Sequence, residues 1–127
     1  MSVSIDRRPA GKYDIQVTKD DYVLLGKIAK RLGRHANPAA LYTQFAERYL
    51  PKFSAMMEAD EAPGECEAGI PGPYTKLSVR IPNEVKTAMD DLAGKLDWDF
   101  LKVALFLGHL GIRDIMTGDG PLAGKAF

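Results

Sequence analysis

This sequence has very little of what builds covalent frameworks or reactive centres. Its 127 residues include one cysteine, Cys66, which excludes an internal disulfide and suits a reducing, cytoplasmic setting. Its two histidines, His35 and His109, have no partner at metal-ligand spacing, and one cysteine cannot build a zinc site. No Ser/His/Asp, Cys/His or paired-carboxylate arrangement stands out, so neither an enzyme nor a cofactor is expected. Gly118 to Lys125 superficially suggests a phosphate-binding loop. The pattern fails, because position 119 is Asp, position 126 is Ala and no strand precedes it. No run approaches the roughly 18 consecutive apolar residues of a membrane span. Met1 to Lys12 lacks the apolar segment of a secretory signal.

A surplus of one charge sign is also missing. The 17 Lys/Arg balance 17 Asp/Glu, which taken alone argues against a nucleic-acid binder. The balance is uneven along the chain. Residues 1–55 hold ten bases against five acids, residues 56–70 hold five acids and no base, and residues 71–127 hold seven of each. Proline and glycine gather in the acidic stretch, where Ala62 to Pro73 cannot sustain a helix or strand. The expected organisation is a flexible basic arm (1–11), an ordered unit (12–55), an acidic linker (56–73), a second unit (74–117) and a loose tail (118–127).

The second unit is the clearer one. From Tyr74 to Pro82, Leu77, Val79 and Ile81 alternate with Lys76, Ser78 and Arg80, the pattern of a half-buried strand. Pro82 ends it. Val85, Met89, Leu92 and Leu96 then fall on one helical face. Asp97 is the expected N-cap of a further helix from Trp98 to about Met116, apolar almost all round and therefore central to the core. The first unit repeats the order. Tyr13, Ile15 and Val17 alternate with Lys12, Asp14, Gln16 and Thr18, and Thr18 with Asp21 resembles a capping arrangement. Tyr22, Leu25, Ile28, Ala29 and Leu32 form an amphipathic face that Gly33 ends. Asn37-Pro38 opens the next helix through Leu41, Phe45 and Tyr49, which Pro51 is expected to bend or end, with Lys52 to Glu61 adding a turn or two. A shift of 64 residues superimposes Ile15 on Val79, Val17 on Ile81 and Leu25 on Met89, with a slip of a residue or two after Gly33.

One such unit leaves strand edges unsatisfied and apolar surface uncovered. Two units solve both problems if their strands pair antiparallel above four helices. The outward ribbon face then carries Lys12, Asp14, Gln16 and Thr18 beside Lys76, Ser78 and Arg80. The major groove of B-DNA admits a two-stranded ribbon, and Arg, Lys and Gln suit its base edges.

Residues 74–116, with the strand Lys76 to Pro82 followed at once by Asn83-Glu84-Val85, resemble the ribbon-helix-helix family of bacterial, plasmid and phage regulators. Residues 12–50 resemble it less well. The resemblance implies a mainly α fold with a two-stranded antiparallel ribbon, here as a single-chain tandem pseudo-dimer, some of which serve conjugative DNA transfer. It implies double-stranded DNA as partner and a role as transcriptional regulator or plasmid/phage transfer accessory protein. A relaxosome or toxin-type protein is a further partner, and a higher oligomer could form on DNA. Carried over by position, Lys12, Asp14, Gln16, Lys76, Ser78 and Arg80 would read bases. Arg34, His35 and Asn37 would hold phosphates at the second helix of the first unit. Asp97 and Asp99 depart from the pattern at the equivalent point of the second unit, and Asp14 departs in the strand, which implies an asymmetric reader rather than a palindromic one.

Blander readings stand beside these. Lys76, Ser78 and Arg80 alone would be a solvated strand face; the two helices that follow favour base reading. Arg7 and Arg8 are either a disordered start or an arm on phosphates. His109 reads as a hydrogen-bonded core histidine, and Trp98 as packing. A protein-interaction module, antitoxin-like or a scaffold with weak or no DNA binding, is the alternative function. Homodimerisation through the second unit alone is the alternative assembly.

Overall fold

The computed structural model describes residues 8–33, 37–61, 64, 66 and 69–116, with the backbone alone for 115 and 116. Along them run β1 (Ala10–Thr18), α1 (Lys19–Leu32), α2 (Pro38–Glu58), β2 (Tyr74–Pro82), α3 (Asn83–Leu96) and α4 (Phe100–Met116). The architecture is mainly helical with one two-stranded antiparallel sheet. No helix among the described residues is long and apolar enough to cross a membrane. β1 begins at Ala10, so residues 10 and 11 belong to the ribbon and not to the expected arm. Likewise, α2 extends to Glu58.

The ribbon register runs from Ala10↔Pro82 to Thr18↔Tyr74, with Asp14↔Ser78 at its centre. Displacing residues 10–18 and 19–32 by 64 gives 74–82 and 83–96, the bounds of β2 and α3. Equivalent bonds extend the ladder at both ends. Lys19 N–H donates to the Pro73 carbonyl at 3.0 Å, and Asn83 N–H donates to the Pro9 carbonyl at 2.9 Å. The first amide of α1 and of α3 would otherwise be an orphan donor; each is satisfied by the proline preceding the other strand. The second helices keep a different offset, 62, because α2 starts at 38 and α4 at 100.

Thr18 caps α1 as expected, its hydroxyl accepting from Asp21 N–H at 3.0 Å. The Asp21 carboxylate turns instead to His109 Nδ1 at 2.7 Å, in the core. Arg113 Nε donates to His109 Nε2 at 2.7 Å, so Nδ1 carries the ring proton and donates to Asp21. This pairing turns Asp21 inward in place of the expected Tyr22. The buried stripe of α1 is Asp21, Leu25, Ile28 and Ala29, and Tyr22 is 41% exposed.

Pro51 does not end α2, which continues with Phe53 fully buried beside Trp98. The ring removes the amide that would reach the Glu47 carbonyl, and packing of the following turn holds the helix through that gap. Asp97 is not an N-cap. It ends α3 in the left-handed region (φ 57°), with Asp97 N–H to Gly94 O and Trp98 N–H to Ala93 O, the paired bonds of a Schellman motif. Asp99 caps α4 instead, its carboxylate accepting from Lys102 N–H at 2.7 Å. Trp98 packs against Phe106 with centroids 4.8 Å apart.

The core lies where α2 and α4 cross beneath the ribbon. Tyr42 donates to the Ala104 carbonyl at 2.7 Å, and Gly108 and Gly111 lie against the Tyr42 ring and the Phe45 backbone. Ile70, from the stretch read as linker, is also buried.

Candidate nucleic-acid interface

Alternation sorts the ribbon into two faces. Ile15, Val17, Leu77, Val79 and Ile81 are buried, and Tyr13 is half-buried against Phe100. Lys12, Asp14, Gln16, Lys76, Ser78 and Arg80 are all exposed on the opposite face. Thr18 shares their parity but is buried, because its hydroxyl is committed to the start of α1; it drops out of the outward set.

The register groups these six side chains into three cross-strand pairs: Lys12 with Arg80, Asp14 with Ser78, and Gln16 with Lys76. Ser78 donates to Asp14 at 2.6 Å, and Lys76 Nζ lies 3.7 Å from the other carboxylate oxygen. The Ser78 hydrogen bond, and then the Lys76 charge, hold the Asp14 carboxyl below the ordinary carboxylate range. The central acid is thus paired within the ribbon, which tempers the repulsion it would exert on a phosphate backbone.

The Lys12/Arg80 end has a support that local sequence patterns do not reveal. Arg8 Nη1 and Nη2 fork onto the Glu47 carboxylate of α2 at 2.8 and 2.7 Å, and Nη1 also reaches Glu84 of α3. The Arg8 carbonyl accepts from Arg80 Nη2 at 2.9 Å. Thr43 of α2 donates to the Arg80 carbonyl at 3.0 Å. The backbone and guanidinium of Arg80 are therefore both tied to the body of the protein. Arg8, expected as part of a loose basic arm, spends its charge on two acids. Partners 39 and 76 residues apart leave no periodic trace that could have announced them.

At the start of α2, Asn37 Oδ1 accepts from Ala40 N–H at 2.9 Å, leaving its amide nitrogen as a donor beside the helix start. Arg34 and His35 lie outside the described residues. The two second helices begin with different charge: a neutral Asn cap on α2 and an Asp cap on α4. Among the described residues, no group of three or more His, Cys, Asp and Glu is placed to hold a metal ion. Comparisons with protein-family models, curated proteins and solved structures find no match to this chain.

Proposed function

We propose that this chain binds double-stranded DNA by laying its ribbon in the major groove, as a tandem ribbon-helix-helix pseudo-dimer acting in transcription or in DNA transfer. The observation that carries this reading is the two-faced ribbon. One face is sealed on the helices; the other presents Lys12, Gln16, Lys76 and Arg80, all exposed. A two-stranded ribbon fits the major groove, and these are the side chains that hydrogen-bond guanine and adenine edges. The common offset of 64 and the reciprocal proline bonds support the pseudo-dimer. The start of α2 capped by Asn37, which Arg34 and His35 precede in the sequence, suits a phosphate.

Fluorescence anisotropy on selected and generic duplexes tests the reading. Binding should weaken steeply with salt, as phosphate contacts release counterions. Arg80→Ala should cost about 1–3 kcal/mol on the selected site and little on generic DNA. Equal loss on both would make Arg80 a phosphate contact. No retention on DNA even at low salt would favour the second reading, a protein-interaction module. That alternative draws on Asp14 at the ribbon centre and on the balanced total charge.

A further inference from the structure

From the pairing of the outward side chains we infer that the ribbon takes a non-palindromic DNA site in one fixed orientation, with a guanine-bearing end under Lys12/Arg80 and an adenine-bearing end under Gln16/Lys76. The inference rests on the reading of the ribbon as a groove binder.

It follows from where the two-fold relation between the strands falls. The register pairs residues whose numbers sum to 92, and the repeat relates residues 64 apart; both hold together only at Asp14 and Ser78. That pair sits on the pseudo-dyad. The relation exchanges Lys12 with Lys76, which preserves chemistry. It exchanges Gln16 with Arg80, which does not. Each end of the ribbon therefore has one lysine, and the ends differ in the second residue.

The surroundings enlarge that difference. Arg80 is held by the Arg8 carbonyl, and Arg8 is itself held by Glu47 and Glu84, so this end presents two cations on a fixed base. At the other end, Lys76 leans toward Asp14 at 3.7 Å, which offsets its charge and leaves the Gln16 amide as the main reader. Arg takes guanine O6 and N7 bidentately, and Gln takes adenine N6 and N7. Positions four residues apart along a strand are separated by about 13 Å, or about four base-pair steps at 3.4 Å. The contacted core is thus about five base pairs long.

Selection of bound duplexes from random DNA with the full chain, repeated with Arg80→Ala, Gln16→Ala and Gln16→Arg, tests this. The native chain should yield a core of about five base pairs without two-fold symmetry. Arg80→Ala should relax one end alone, and Gln16→Ala the other, each lowering preference there by about 5- to 150-fold. Gln16→Arg gives both ends the same residue types, so the selected core should become palindromic at its outer positions, with guanine at each. A palindrome from the native chain overturns the inference, as do relaxation of both ends by one variant or a Gln16→Arg motif unchanged from the native. Binding without any sequence preference overturns it and leaves groove or backbone binding standing; no binding to any duplex at low salt removes the parent reading with it. All three substitutions are on exposed positions, and matching circular dichroism spectra establish that each variant is folded.

Discussion

Asp14 is the residue whose chemistry is set most directly by the ribbon register. Opposite Ser78 and diagonal to Lys76, it is an exposed carboxylate held in charged form. Its folded pKa lies below the ordinary 3.8, so the stability it contributes is present above that value and is lost as pH falls through the lower folded one. Asp14→Asn should therefore lower stability slightly in the neutral region, where the charged pairing contributes, and flatten the acid limb of the stability curve below about pH 4. Thermal melts between pH 2 and 7 check this; an unaltered acid limb would mean that Ser78 and Lys76 do not hold the carboxylate. A buried carboxylate, Asp21, shows how differently the same side chain acts. It and His109 were both legible as polar positions, but only the packing of α1 on α4 joins them across 88 residues. The amphipathic pattern put Tyr22 inward because it counts apolar side chains. It cannot count a carboxylate that becomes a core residue by gaining a partner.

At the scale of elements, the end of α3 holds one of two non-glycine residues with a left-handed backbone among the described residues, the other being Asp60. Asp97 adopts a left-handed conformation that L-residues resist, and its charge lies at a helix C-terminus, where a negative group is disfavoured. Asp97→Gly relieves both, against some added freedom of the unfolded chain, and should stabilise by about 0.5–1 kcal/mol in urea titrations. Destabilisation would show that the carboxylate has a role the cap does not explain. The opposite case is Gly108, where an added Cβ would come within 2.5 Å of the Tyr42 ring. Tyr42 is fully buried and anchored to Ala104, so it has little room to move. Gly108→Ala should cost about 1–3 kcal/mol by overpacking, again read from urea midpoints; a neutral result would mean that α2 and α4 can separate without loss. The sequence announced both strands, the cap at Thr18, the stop at Gly33 and the cap at Asn37, because alternation and capping act within a few residues. It misplaced the α3–α4 junction because Asp97 and Asp99 are equally good caps by composition. The choice between them depends on whether the chain turns before or after Trp98, which docks on Phe53 and Phe106. The Arg8 fork was illegible for the same reason, since its partners come from α2 and α3.

At the scale of the whole molecule, the question is whether one chain suffices. In a protein whose ribbon takes one strand from each of two chains, folding and association are one event, and stability rises with protein concentration. Here β1 and β2 belong to one chain, and each satisfies the first helical amide of the other unit through Pro9 and Pro73. The buried faces of both strands share a single core with α2 and α4. Nothing in that arrangement requires a second copy to close the sheet. The urea midpoint should therefore be independent of concentration from about 1 to 100 μM, where a two-chain fold would gain about 1.4 kcal/mol for each tenfold increase by mass action. Light scattering at the lower concentration should give the mass of one chain, 13.9 kDa. A midpoint that climbs with concentration, together with twice that mass, would mean that two copies associate, either as a dimer of pseudo-dimers or by pairing strands between chains. Where β2 pairs with the β2 of a second copy, the Lys12/Arg80 and Gln16/Lys76 ends would be replaced by ends related by true symmetry, and the directional reading of DNA would lose its structural basis.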